Sequence, residues 1–217
     1  MKTIAILPVK RFAQSKQRLA DALPARSRVA LVQAMVTDVL IALRRAQLVD
    51  GVVVVTGEPA AGQIAVNYNA EVLPDQSDAG HSDAVALGVQ WALARDADRV
   101  LLVPGDVPMI DPVEIDGLLA TMPEGAREVT IVPDRHGTGT NGLVLYPPDV
   151  IPAAFGEGSR ARHEAAAAAA GAATFVAEPE SLTHDVDTPD DFETLQARLE
   201  SHRGGASHTR GLLPRLL

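Results

Sequence analysis

Residues 52–56 read Val-Val-Val-Val-Thr, a run of β-branched side chains with no polar alternation. A strand with one wet face alternates apolar and polar residues. A strand without that alternation has to be covered on both sides, as in the centre of a parallel sheet. Thr3–Leu7 and Arg99–Val103 make the same demand, and Glu128–Val132 and Leu143–Tyr146 read as strands around a glycine-rich link. Between these runs the period changes. Pro24–Ala46 carries Val29, Val32, Met35, Val36, Val39, Leu40 and Leu43 at helical spacing. Helices are also expected over Ala60–Asn67, Ser82–Arg95 (with Trp91 on the apolar side), Pro112–Thr121, Ser159–Ala170 and Pro189–His202. Strands are expected near Ala70–Leu73, Thr174–Val176 and Leu182–Val186. Strand and helix in alternation predict an α/β fold: a single-domain three-layer sandwich, mainly parallel, with helices on both faces. The expected domain is 1–203, with a mobile tail over 204–217.

The chain has 217 residues, enough for one sizeable core, and a net charge of −9, which disfavours nucleic acid as a partner. It has no cysteine, so disulfides, thiolate zinc sites and cysteine nucleophiles are excluded. Met1–Pro8 is too short, and too soon followed by Lys10 and Arg11, for a signal peptide. No apolar stretch is long enough to cross a bilayer, so a soluble cytoplasmic protein with no membrane partner is expected. There is no G-x-x-x-x-G-K-[ST] phosphate loop and no nucleophile elbow.

Chemistry concentrates in segments that follow strands. In such sheets ligands bind beyond the carboxyl ends of the strands. His184-Asp185-Val186-Asp187-Thr188-Pro189 sets two carboxylates one residue apart, on one face if the segment is a strand. Like charges placed together invite a divalent cation, and Mg²⁺ takes oxygen ligands of this kind. Thr188-Pro189-Asp190-Asp191 is also a good helix start, so Asp187 fits a helix approach equally well. Asp106 follows the strand 99–103 and offers a third acid. Lysine occurs only at Lys2, Lys10 and Lys16, and the last two follow the first strand. Compact ammonium groups there suit phosphate.

Gly137-Thr138-Gly139-Thr140-Asn141-Gly142 matches G-x-G-x-x-G, but a strand follows it rather than a helix, which argues against a dinucleotide site. The glycines suit close approach to a ligand, with Thr138, Thr140 and Asn141 as neutral donors; a plain hairpin is the competing reading. Ser159 is expected to cap the helix after it, with Arg160 and Arg162 in a first turn that would favour a bound anion. His136 and His163 read as surface or supporting residues.

Pro8-Val9-Lys10, Ser15-Lys16-Gln17-Arg18-Leu19, Gly105-Asp106, Asp134–Asn141, Phe155-Gly156 with Ser159–His163, and Asp185–Pro189 together resemble the CofC-type guanylyltransferases of coenzyme F420 biosynthesis, over nearly the whole chain. The resemblance implies a Rossmann-like, nucleotide-diphospho-sugar transferase-like fold, similar to molybdenum-cofactor guanylyltransferases although their paired glycines are missing from the first loop. It implies transfer of GMP from GTP to phosphoenolpyruvate or 2-phospho-L-lactate, with phosphoenolpyruvate favoured by association with an Arg-rich, Lys-poor composition. Thr140, Gly156 and Ser159, with Arg160 beside them, would hold the acid. Asp106, Asp185 and Asp187 would hold Mg²⁺. Lys10, Lys16 and Arg18 would steady the triphosphate, and Pro8, Gly80, Asp83 and Gly105 would complete the nucleotide pocket. Many relatives carry Leu-Asn soon after the position of Gly80, where this chain has His81-Ser82-Asp83. A homodimer is compatible with this reading. The competing readings are a D-x-D nucleotide-sugar glycosyltransferase, which would release a nucleoside diphosphate, and a non-catalytic nucleotide-binding protein.

Overall fold

The computed structural model describes residues 1–75, 80–120, 127–202 and 204–216. Seven strands form one sheet: β1 (Thr3–Val9), β2 (Gly51–Thr56), β3 (Glu71–Pro74), β4 (Arg99–Leu102), β5 (Glu128–Pro133), β6 (Thr140–Tyr146) and β7 (Ala173–Val176), in the order β3-β2-β1-β4-β6-β5-β7. Among the described residues only β6 runs against its neighbours, so the sheet is mainly parallel. The helices are α1 (Ala25–Arg45), α2 (Pro59–Asn67), α3 (His81–Leu93), α4 (Pro112–Ala120), α5 (Ser159–Ala169), α6 (Pro189–Ser201) and α7 (Ser207–Leu212). Thr121, Arg203 and Leu217, which close expected segments, lie outside the described residues.

The unbroken apolar runs divide between two cores. Ala5, Leu7, Val52 and Val54 face the layer of α1, α2, α4 and α6. Ile4, Ile6, Val53 and Val55 face the layer of α3 and α5. Both faces of β1 and β2 are therefore dry, and each buried Val, Leu or Ile contributes about 1.5–3 kcal/mol. The α3 layer sits close. A Cβ on Gly88 would stand 2.5 Å from Ile6 Cγ2, so glycine is what lets this helix rest on β1.

The chain lays down β1, β2 and β3 in one direction and then returns to place β4 on the other side of β1. That reversal leaves a crevice beyond the carboxyl ends of β1 and β4.

One expectation is corrected. Residues 182–186 are not a strand; Val186 N–H donates to Asp106 O at 3.1 Å, while Leu182 and Val186 are buried as apolar anchors. The segment is held by its alternate side chains rather than by a ladder. In the tail, α7 packs against α1, because the carboxylate of Asp38 accepts from the N–H groups of His208 and Thr209 at 3.0 and 2.8 Å. Ala206, Leu212 and Leu213 pack on the core there.

Candidate active site

After β1 the chain crosses the crevice in two single 3₁₀ turns, Phe12–Gln14 and Gln17–Leu19, pinned by buried Phe12 and Leu19. Between them Lys16 takes the left-handed conformation (φ 55°, ψ 39°). That conformation costs a non-glycine residue on the order of 1 kcal/mol. From it the Lys16 side chain enters the crevice, with Nζ 2.5 Å from Asp106 Oδ2 and 2.7 Å from Asp187 Oδ1. These partners lie 90 and 171 residues away in sequence. Pro8, Lys10, Lys16, His81, Gly105, Asp106 and Asp187 line a cleft of ≈ 270 Å³ here.

The charges respond to one another. Burial alone would lower the Lys16 pKa, but Asp106 and Asp187 outweigh it and hold the ammonium above its ordinary value. Burial pushes Asp187 up, yet Lys16 beside it brings the carboxyl below its usual range. Asp185 goes the other way: burial and then the charge of Asp106 raise it, against a hydrogen bond from Asn141 Nδ2 at 3.1 Å.

A cation site is tested by its donor atoms. Asp106 Oδ1 is buried and has no hydrogen-bond partner among the described residues. A buried acceptor without a donor costs about 1–3 kcal/mol, so this oxygen fits a cation that would satisfy it. All three acids are oxygen donors suited to a hard divalent ion. They do not form a ready cage: among the described residues no three acidic or histidine groups stand close enough together to hold a metal. Lys16 occupies the position between two of them.

The helix-start reading of Thr188-Pro189 also holds. Thr188 accepts from Asp191 N–H, Asp191 accepts back from Thr188 N–H at 2.7 Å, and Pro189 opens α6. Asp191 further accepts from Asp187 N–H at 3.0 Å and pairs with Arg135, so the cap fixes the backbone that aims Asp187.

A second cluster lies where β6 meets α5. Ser159 Oγ lies 3.0 Å from Thr140 Oγ1, and His163 Nδ1 lies 3.1 Å from the same oxygen. Ser159 is thus not the helix cap. Gly158 holds that place at φ 67°, and the buried Ser159 hydroxyl points to β6 instead. Gly156, at φ 102°, turns the preceding loop. The two arginines expected to favour an anion have protein partners. Arg162 binds the carbonyls of Ala154, Phe155 and Glu157; Arg160 binds Glu164 at 2.9 Å and the carbonyl of Gly137. Arg160 N–H also donates to Thr138 O at 3.2 Å. Both residues brace the loops around Thr140 rather than present a free guanidinium.

The two clusters are joined by adjacent residues, since Thr140 is in the second and Asn141 reaches Asp185 of the first. Lys10 is exposed at the cleft wall, and Arg18 is exposed but near enough to bear on the charge of Asp187. Gly80, at φ 142°, caps α3, and Asp83 sits in its first turn. The side chain that reaches the cleft is His81 between them, which sequence reasoning did not single out. Burial lowers its pKa to about 4, and its ring meets Phe155 edge-on at 4.7 Å. His163 was likewise undervalued. It is fully buried, and nothing in its local sequence separates it from a surface histidine.

Solved structures share this architecture. A putative nucleotide-diphospho-sugar transferase from Desulfovibrio desulfuricans G20 superposes with TM-score 0.79 at 18% identity, over 99% of this chain and 95% of its own. A nucleotidyl transferase from Methanothermobacter matches with TM-score 0.65 at 16% identity, over 93% of this chain and 99% of its own. These likenesses establish the fold of the nucleotide-diphospho-sugar transferases. Within that class, the chain belongs to the family described as guanylyl transferase CofC like, which matches residues 3–209. A phosphoenolpyruvate guanylyltransferase of Conexibacter woesei is 52% identical over 100% of this chain and 97% of its own length. One from Sphaerobacter thermophilus is 42% identical over 90% of this chain and 93% of its own.

Proposed function

We propose that this protein transfers GMP from GTP to phosphoenolpyruvate, releasing pyrophosphate, as a step in coenzyme F420 biosynthesis. Family membership and full-length similarity to phosphoenolpyruvate guanylyltransferases support the reaction. The observation that carries the site is the clasp of Lys16 between Asp106 and Asp187 at the carboxyl ends of β1 and β4.

The acceptor's phosphate oxygen, already ionised at neutral pH, attacks the α-phosphorus of GTP. The bond from that phosphorus to the bridging oxygen breaks, and pyrophosphate leaves with the electron pair. No general base is required. The work is to gather two polyanions and neutralise charge. Asp106, Asp187 and Asp185 would hold a divalent cation, Mg²⁺, which supplies charge neutralisation at the phosphates. Lys16, Lys10 and Arg18 steady the triphosphate as point charges and a fork. Pro8 and Gly105 shape the cleft floor, and Gly80, His81 and Asp83 bring the start of α3 to the nucleotide. Thr140, Ser159 and the loop at Gly156 receive the acid, while Arg160 braces that loop.

The direct test is pyrophosphate release with GTP, Mg²⁺ and phosphoenolpyruvate. Asp106→Asn and Asp187→Asn should each lower the rate at least a hundredfold, by the usual worth of a charge-stabilising group. Full activity in either would sink the cation assignment. 2-Phospho-L-lactate in place of phosphoenolpyruvate tests the choice of acid. Nucleoside diphosphate as the released product would favour a glycosyltransferase instead.

A further inference from the structure

Thr140, Ser159 and His163 form a hydrogen-bond chain whose direction is fixed at one end. Ala154 N–H donates to His163 Nε2 at 2.9 Å. A backbone amide can only donate, so Nε2 is the bare nitrogen and the ring proton of the neutral imidazole sits on Nδ1. The histidine is neutral: burial, then the nearby Arg162, lowers its pKa to about 4. Nδ1–H therefore donates to Thr140 Oγ1, 3.1 Å away. Thr140 Oγ1 also meets Ser159 Oγ at 3.0 Å. If Ser159 donates to Thr140, the Thr140 proton is left over. If Thr140 donates to Ser159, the Ser159 proton is left over. In both cases the pair has one hydroxyl hydrogen to give and a reduced capacity to accept.

We infer that His163 is a positioning residue: it orders the Thr140–Ser159 pair into a one-way hydrogen-bond donor, matched to the carboxylate or phosphate of an anionic acceptor. An acceptor-only ligand meets a proton held toward it, whereas a ligand that must donate at this point is disfavoured. The arrangement depends on the loop after β6. Phe155 stacks edge-on between His81 at 4.7 Å and His163 at 5.5 Å. Phe155 N–H also donates to Ser82 Oγ at 3.2 Å, which ties the loop to α3. Arg162 holds the same loop by its carbonyls. The amide of Ala154 is thus presented to His163 by a braced backbone.

The inference rests on the reading that Thr140 and Ser159 receive the acid, and a double-mutant cycle separates the two. The readouts are the KM for phosphoenolpyruvate, the KM for GTP and kcat, with folding checked by circular dichroism. Thr140→Val removes the hydroxyl at nearly constant shape. It should raise the phosphoenolpyruvate KM on the order of tenfold, the worth of one hydrogen bond to a charged group, with the GTP KM little changed. His163→Phe keeps the ring but has no donor, and should raise the same KM comparably. His163→Asn keeps a donor near the Nδ1 position and should recover most of that loss. In the Thr140→Val background His163→Asn and His163→Phe should be equivalent, because the residue through which they act is gone. If Thr140→Val leaves the phosphoenolpyruvate KM unchanged, the acid-site reading fails. If Thr140→Val raises it but the two His163 variants still differ in that background, or raise both KM values alike in the parent, the positioning role fails. Should His163→Phe not fold, His163→Gln, whose amide lies near the Nε2 position and leaves no donor at Nδ1, takes its place in the cycle with Thr140→Val: additive losses overturn the inference.

Discussion

Lys16→Met removes the ammonium but keeps a side chain of similar length at the centre of the clasp. The parent Lys16 side chain is 7% exposed, and its partners Asp106 and Asp187 are 24% and 47% exposed. Breaking a fully buried ion pair costs about 3–5 kcal/mol; with Asp187 half in water, screening reduces this to about 2 kcal/mol. For a chain of this size that corresponds to a fall in Tm of about 4–8 °C. The sign for a divalent ion is opposite. In the parent, a cation has to compete with the Lys16 ammonium for two carboxylate oxygens. In the variant it meets two unpaired carboxylates and the orphan Asp106 Oδ1. Lys16→Met should therefore bind Mn²⁺, without nucleotide, about tenfold or more tightly than the parent, since 1.4 kcal/mol is a factor of ten. It should also be stabilised more by the ion. Thermal melts with and without Mn²⁺, and Mn²⁺ titration followed by electron paramagnetic resonance, measure both effects. Turnover should fall even as metal binding strengthens, because the charge that steadies the triphosphate is gone. A variant that melts with the parent and binds Mn²⁺ no more tightly would refute the view that Lys16 and a cation share these oxygens.

Gly88→Ala should destabilise the protein by about 1–2 kcal/mol in urea denaturation: the 2.5 Å approach to Ile6 Cγ2 imposes an overpacking cost of about 1–3 kcal/mol, partly offset by alanine's better helix propensity. Parent-like stability would show that α3 can move off β1. His163 makes stability depend on pH. Its folded pKa of about 4 lies below the ordinary 6.5, so its contribution is complete above about pH 6.5 and is lost as pH falls toward 4. By pH 5 the parent should have lost about 2 kcal/mol through this group, and His163→Asn should show a correspondingly flatter profile between pH 7 and 5. Equal slopes in parent and variant would mean that the imidazole takes its proton while still folded.

Much of the fold was legible because its signals are local. The unbroken run at 52–56 demanded two covered faces, and β2 has them. The apolar stripe on 24–46 became α1 with its ends nearly where the pattern placed them. Thr188-Pro189 opened α6 as its side-chain chemistry dictates. The segment 182–186 misled because apolar residues at alternate positions look the same whether a strand ladder or two isolated anchors hold them. The helix α7 was not legible because Asp38, the acceptor that seats it, lies 170 residues away on α1.

The site divides in the same manner. Residue types and their order within short segments set out the parts by themselves: acids after strands, lysines after β1, hydroxyls after a glycine turn. The partnerships were settled only by tertiary structure. Lys16 meets Asp106 and Asp187, Arg160 and Arg162 turn to carbonyls and a glutamate, and His163 becomes the fixed end of a hydroxyl chain. Periodicity and capping act over a few residues and are written in the sequence. The orientation of a polar side chain depends on which desolvated partner the packed core brings within about 3 Å, and that distance exists only once the chain has folded.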